Sequence, residues 1–396
     1  MTNTTRTPSA HRSVYVWVVA ISSILSAVAA AIYLPVDIEN VPVERVVANL
    51  ERQVGERPKD VNLRVNLARV HAMAYAQKLD TIPTARSRGA KEVIAPWAGH
   101  FVPPFRQFEV KSSQDAKVLA TAREQLDKAM ARYKEALQLE PANLVAKMGL
   151  GWALGQAGDK PGAIAALRVV VARGLPENQK SIGVLDRERS LTEEAVLYLV
   201  PLLDPKTDRV EIERLKASAK ELANKPRPIT PIAIPLADGL SAVDLVDTRA
   251  ALAFDLDGSA LPRRWNWIHP TAAWLVFDKR GAGSITSGLQ LFGHVTFWLF
   301  WPNGYDALRA LDDNGDGRIA GAELAGFALW HDRNSNGRSE PGEVRPVAAW
   351  GIVSLSCEYE HDARHPDEIA FSPRGVTFDD GTTRPTYDVV LRQGAR

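Results

Sequence analysis

The sequence predicts an α+β chain of several units: an apolar N-terminal helix, a helical repeat half, and a C-terminal α+β half in which strands accompany acidic loops. Three observations carry this. Residues 13–36 hold no charged side chain across 24 positions. From Asp115 to Val171, small and large apolar residues recur at helical spacing. Two twelve-residue windows, DDNGDGRIAGAE and DRNSNGRSEPGE, set Asp, Asn, Gly and Glu at matching offsets. A chain of 396 residues is long for one domain, and its 45% apolar and 24% charged residues suit packed cores. A net charge of +1 argues against a nucleic-acid partner, which calls for a basic face. The single cysteine, Cys357, excludes an intrachain disulfide and a cysteine zinc site.

The apolar segment is long enough to cross a bilayer, which takes about 20 helical residues. Tyr15, Trp17 and Tyr33 stand at its ends, where interfacial aromatics belong. Arg6 and Arg12 precede it, while Asp37 and Glu39 follow. The expectation is a cytoplasmic tip and signal anchor over 1–36, a single pass through a bacterial-type inner or cytoplasmic membrane, and an extracytoplasmic bulk. The small residues Ser26 to Ala31 leave a cleaved signal peptide as the alternative, with the protein then secreted or periplasmic.

Residues 37–224 read as helical. In KAMARYKEALQLEPANLVAKMGLGWALGQAGDKPGAIAALRVV, the residues Ala129, Tyr133, Ala136 and Pro141 mark one helix and its exit. Leu150, Gly151 and Leu154 fall on the next helix, and Ala163 and Leu167 on the one after. This pattern resembles tetratricopeptide repeats, in which small residues let paired helices approach and Leu or Tyr fills the groove. A degenerate unit stands upstream, around Pro58 and Leu67. Residues 79–113 break the pattern with four prolines and read as an irregular insertion. Helices are expected again at Thr192 to Leu203 and Arg209 to Ala223. Four prolines within 225–237 read as a linker, and 238–396 as a separate domain holding seven of the ten tryptophans. Its closing runs GIVSLSCEYE, EIAFSPRGVTF and RPTYDVVL read as strands, with a tight connection at Asp380-Gly381.

The first acidic window satisfies the EF-hand loop position by position. Asp312, Asn314 and Asp316 take positions 1, 3 and 5, and Gly317 the sharp turn at position 6. Arg318 offers its carbonyl at position 7, Ile319 is the apolar residue at 8, and Glu323 closes position 12. Such a loop gathers about seven oxygens around Ca2+. In the second window Asp332, Asn334, Asn336, Arg338 and Glu343 take positions 1, 3, 5, 7 and 12, with Glu340 at 9. Fewer carboxylates, and Ser339 at the apolar position 8, predict weaker binding and poorer pairing with a partner loop. Only eight residues separate Glu323 from Asp332, so one short helix is expected to join the loops.

From about Ala250 to Tyr359 the order of motifs resembles a calcium-binding module of large secreted bacterial proteins of the haemolysin-type (RTX) class. The runs are FDLDGSA, VFDKRGAGSITSGLQLFG, NGYDALRALDDNGDGRIAGAEL, LWHDRNSNGRSEPGEV and GIVSLS. The resemblance implies further ion sites in the first two. There Asp255, Asp257 and Asp278 remain, while Ser259, Ala260, Arg280 and Ala282 interrupt them. Both read as lapsed sites that keep a turn.

Nothing comparable points to catalysis. His361 and His365 lack a third ligand, Cys357 reads as a small buried hydrophobe, and the run TFWLFW as core. The expected function is a calcium-binding, membrane-anchored scaffold whose repeats hold a protein or peptide partner, calcium being mainly structural. The alternatives are a calcium-responsive regulator of partner binding and a hydrolase acting on envelope material.

Overall fold

A computed structural model describes residues 40–78, 81–83, 112–177, 187–223, 228–258, 262–299, 301–363, 365 and 369–393. The segment expected to span a membrane lies outside them, as does most of the 79–113 insertion. Among the described residues no helix is long and apolar enough to cross a membrane.

A short strand, β1 (Asn40–Pro42), pairs with β2 (Thr81–Pro83). Seven helices follow in sequence: α1 (Val43–Glu56), α2 (Val61–Gln77), α3 (Ala116–Leu139), α4 (Leu144–Ala157), α5 (Lys160–Glu177), α6 (Arg187–Leu199) and α7 (Arg209–Ala223). Each packs on the next. Their starts follow from capping: the Asp115 carboxylate accepts the Lys117 and Val118 N–H groups, and Asn143 accepts that of Ala146. Helix α4 ends at Gly158, whose φ of 91° suits glycine. Ala129, Tyr133 and Ala136 are fully buried on α3, as are Ala163 and Leu167 on α5. A Cβ at Gly149 would fall into the Tyr133 ring, and one at Gly151 would meet Leu167 at 3.0 Å. Those glycines set how closely the helices approach.

The C-terminal half is built on a nine-stranded antiparallel sheet. Its order is β10 (Val344–Pro346), β9 (Phe327–Trp330), β7 (Ala272–Phe277), β4 (Ile232–Pro235), β14 (Thr383–Asp388), β13 (Ala370–Phe378), β11 (Ile352–Ser356) and β8 (Arg318–Ala320). The ninth strand, β12 (Glu360–His361), pairs with β13 beside that path, and outside the sheet β3 (Pro228–Ile229) pairs with β15 (Leu391–Arg392). Strands β11 and β13 fall within the first two closing runs and β14 begins one residue before the third, while Gly381 turns between β13 and β14 with φ 80°. Strand alternation supplies two cores. Ile232, Ile234, Leu275, Phe327 and Leu329 face one hydrophobic cluster, continuous with Val46 and Leu50 of α1. Ala233, Trp274, Val276, Ala328 and Trp330 face the other. There a two-stranded ribbon of β5 (Val246–Phe254) and β6 (Arg263–Ile268) brings Phe254 and Trp267 against Trp274 and Trp330, at centroid separations of 5.4–5.7 Å.

Two expectations are corrected. Residues 225–237 are not all linker, because β4 lies inside the sheet between β14 and β7. Its prolines stand before the strand and at its last residue, where a missing N–H is tolerated. The connection between the acidic loops is not one helix either. It is a 3-10 turn (Gly321–Leu324) followed by β9. Gly326 takes φ 93° with the Phe277 ring 3.0 Å from where a Cβ would stand, and FALW buries both of its faces as a strand.

The helix packing predicts opposite outcomes for two glycines of α4. Gly149→Ala should destabilise by about 1–3 kcal/mol through overpacking on Tyr133. Gly155→Ala meets only Ala163, at 3.6 Å, and should be neutral or stabilising by up to about 1 kcal/mol. Urea unfolding followed by circular dichroism measures both; equal effects would refute this account of the spacing.

Candidate metal centre

The short helix α8 (Ala242–Leu245) precedes β5, and α9 (Gly304–Arg309) leads directly into the first acidic loop. Helix α9 is fixed at its start. Asn303 caps it by accepting the Tyr305 and Asp306 N–H groups, and the buried Asp388 carboxyl accepts from Gly304. The Tyr305 hydroxyl donates to the Thr386 carbonyl at 2.7 Å and accepts the Ser372 N–H at 3.1 Å, tying α9 to β13 and β14.

From Asp312 onward the two loops repeat one hydrogen-bond skeleton. At position 1 the carboxylate accepts the position-6 glycine N–H: Gly317 to Asp312 at 3.0 Å, Gly337 to Asp332 at 2.8 Å. At position 12 the glutamate accepts from positions 2 and 9. Asp313 and Ala320 donate to Glu323 at 2.7 and 3.1 Å, and Arg333 and Glu340 donate to Glu343 at 3.0 and 3.1 Å. The position-3 and position-5 side chains each accept an N–H two residues on, in both loops. Residues 4 and 6 take positive φ throughout: Gly315 and Gly317 at 76° and 81°, Ser335 and Gly337 at 50° and 69°.

The side chains at the remaining offsets lie together. Asn314 donates to Asp316 at 3.1 Å, and Asn334 and Asn336 both donate to Glu340 at 3.0 Å. Positions 3, 5 and 9 of the second loop therefore converge. Arg318 turns its guanidinium away to Ser354 and Thr377, and its chain forms β8, so its carbonyl is what position 7 offers the loop. Among the described residues no group of three or more His, Cys, Asp or Glu stands at metal-ligand spacing. The carboxylates at positions 1 and 12 are instead directed at backbone N–H groups.

The donor chemistry nevertheless fits a hard divalent cation. Asp312, Glu323, Asp332 and Glu343 are 1%, 8%, 1% and 2% exposed. Among the described ion pairs, the one that reaches any of these four is Arg333 to Glu343, at 3.9 Å. Buried carboxylates without a counter-charge are costly, and each of the four keeps an oxygen that accepts a single N–H, leaving a lone pair for a cation. Burial pushes the Asp332 carboxyl above its ordinary range, against the bonds it accepts from Gly337, Asn336 and the Trp267 indole, the last at 2.7 Å.

A third loop, from Asp278, has the same backbone shape. Asp278 accepts from Ala282 and Gly283 at 2.9 and 2.8 Å, and Gly281 and Gly283 have φ of 63° and 66°. Gln290 closes it: its amide oxygen accepts the Thr286 N–H at 2.9 Å and its amide nitrogen donates to the Ser284 carbonyl at 3.1 Å. That carbonyl is the position-7 group, so an amide stands where a cation would draw the loop shut. The loop pairs with the second one: Ile285 donates its N–H to the Ser339 hydroxyl at 2.8 Å, and that hydroxyl donates to the Ile285 carbonyl at 3.3 Å. Ser339 thus makes the contact that an apolar position 8 was expected to make. Ile319 of the first loop pairs with Leu355 of β11 instead. In the first run, Asp257 meets Arg263 at 3.4 Å.

The sequence reading missed Trp267 and Gln290, and also a face of α1. Gln53, Asn49 and Arg45 donate to the carbonyls of Arg309, Ala310 and Leu311, each at 3.0 Å, and Arg52 donates to that of Asp312. These residues are 256 to 266 positions apart in sequence, so no local signal marks them. Of the other candidates, Cys357 is buried, with burial pushing its thiol well up. Phe297, Leu299 and Trp301 are buried as core. His361 lies exposed on β12.

Comparison with known proteins places these features. Residues 237–392 match the SPM domain, and residues 120–178 match a tetratricopeptide repeat. The chain is also 33% identical over 169 residues to the iron-regulated protein FrpA of Neisseria meningitidis serogroup C. That alignment covers 41% of this chain and 15% of the relative's length.

The anchoring of α9 gives a pH prediction. Burial raises the Asp388 carboxyl well above its ordinary range, while the unfolded chain releases that proton near about pH 4. The folded state therefore holds the proton over a range where the unfolded state has lost it. Stability from this group is present below about pH 4 and falls as pH rises through the raised native value, by up to about 1.4 kcal/mol per pH unit. Asp388→Asn should flatten that fall in urea unfolding between pH 4 and 8; an unchanged slope would contradict it.

Proposed function

We propose that this chain is a calcium-binding protein-interaction protein in which the loops at Asp312–Glu323 and Asp332–Glu343 hold Ca2+, mainly to keep the C-terminal half folded. One observation carries the reading: four nearly fully buried carboxylates, at positions 1 and 12 of two loops with one shared hydrogen-bond skeleton, lie where side-chain cations are sparse. Asp312, Asn314, Asp316, the Arg318 carbonyl and Glu323 would hold one ion. Asp332, Asn334, Asn336, the Arg338 carbonyl and Glu343 would hold the other, with Glu340 beside them. The ion supplies charge compensation and closes the loop; no reaction is assigned to it.

The helical repeats supply the interaction surface, since stacked helix pairs of this kind present an extended face to proteins or peptides. The uncharged stretch over 13–36 supports attachment to a membrane, with the bulk extracytoplasmic, where free calcium is available. The likeness of 169 residues of this chain to a stretch of the much longer FrpA agrees with a module that recurs within larger proteins.

Calorimetric titration with Ca2+, alongside thermal melting, tests this. Two binding events are expected, the tighter abolished by Asp312→Ala and the weaker by Asp332→Ala. At a hundredfold excess over the dissociation constant, one site should stabilise by about 2.7 kcal/mol. Absence of both heat and stabilisation at millimolar calcium would remove the reading.

A further inference from the structure

Helix α1 presents one face to the first loop. Arg45, Asn49, Arg52 and Gln53 stand at offsets of four, seven and eight residues, which share a helical stripe. From that stripe they reach four consecutive carbonyls, those of Arg309, Ala310, Leu311 and Asp312. Arg309 is the last residue of α9 and the other three carbonyls follow it, so side chains of a distant helix hold the stretch by which α9 enters the loop. Asn49 also donates to the Asp313 carboxylate at 2.8 Å, and Arg45 to the same group at 2.8 Å. Asn49 and Gln53 are 5% and 1% exposed, and the bond from Asn49 to the Ala310 carbonyl is buried. Gly315 completes the fit, because a Cβ at that position would strike the Arg52 guanidinium.

We propose that docking of α1 and cation occupancy of the first loop are coupled, each strengthening the other, so that calcium at Asp312–Glu323 governs how firmly the N-terminal helix is held. This rests on the calcium reading above and adds a regulation to that site. None of the α1 contacts uses a carboxylate or amide oxygen of Asp312, Asn314, Asp316 or Glu323. Docking therefore leaves the ligand oxygens free while fixing the backbone that carries them. Ordering that backbone in advance lowers the entropy lost when the ion binds. Repulsion between the ion and the two arginines acts the other way. Each arginine has its own carboxylate, however: Arg45 meets Asp313 at 2.8 Å and Arg52 meets Glu56 at 3.1 Å. The ordering effect wins, and the coupling is positive. By linkage the same factor must appear in both directions.

The test uses the full chain carrying Asp332→Ala, so that one site is followed. Asn49→Ala with Gln53→Ala removes the contacts to Arg309 and Ala310 without changing any charge. Calcium affinity of the first loop should fall by about tenfold, the hydrogen bonds to the Arg309 and Ala310 carbonyls and to the Asp313 carboxylate being removed. In the protein without those two changes, amide exchange along α1 should be slower in calcium than in chelator by the same order, a readout that does not depend on any α1 variant folding. Calcium binding with unchanged affinity in the double variant, or equal exchange in both conditions, overturns the coupling and leaves the calcium reading standing. No binding in the parent overturns both.

Discussion

The C-terminal half depends on carboxylates that organise backbone N–H groups away from solvent. A twelve-residue loop with glycine at its turn has little side-chain bulk to hold it. Its shape comes instead from position 1 gathering the N–H of position 6, and position 12 gathering those of positions 2 and 9. The arrangement concentrates negative charge where water is excluded, at Asp312, Glu323, Asp332 and Glu343. Such charge calls for compensation, and the third loop shows a neutral alternative. There the Gln290 amide bonds both a loop N–H and the position-7 carbonyl, closing the loop without a carboxylate at its end.

Each loop is joined to the rest of the fold differently. The second connects β9 to β10, paired antiparallel, and leans on the Asp278 loop through Ser339 and Ile285. Its first carboxylate is held by Trp267, part of the aromatic cluster beneath the sheet. The first loop instead leaves α9, runs into the edge strand β8, and is roofed by α1. One hydrophobic cluster runs from Val46 and Leu50 through Tyr305 to Ile319, so this loop shares its support with the helical half. Binding at the two loops should therefore have different reach: the second local to the tryptophan core, the first felt along α1.

Much of this was legible in the sequence, because the decisive signals are local. The offsets of Asp, Asn and Glu in the loops, glycine at position 6 and the alternation of the closing strands each lie within a dozen residues, and the glycines opposite Tyr133 and Leu167 stand only 16 positions from them. What was not legible depends on distance or on ambiguity. FALW is too short to tell helix from strand, and Gly326 decides it by adopting positive φ. The prolines around Ile232–Pro235 suggested a linker, yet they flank a four-residue strand whose neighbours come from 40 and 150 positions away. Asn49 and Gln53 look like ordinary polar residues on a helix, and only the fold shows them holding the chain where α9 enters the first loop.

The central claim is that the loops at Asp312 and Asp332 take up calcium while the similarly shaped loop at Asp278 does not. Nuclear magnetic resonance of the three position-6 glycine amides during a calcium titration tests it most directly. Gly317 and Gly337 donate to carboxylates that the ion would polarise; Gly283 donates to Asp278 in the loop closed by Gln290. Saturable shifts of Gly317 and Gly337 with Gly283 unmoved are expected. Three stationary amides, or three that move together, would contradict the account.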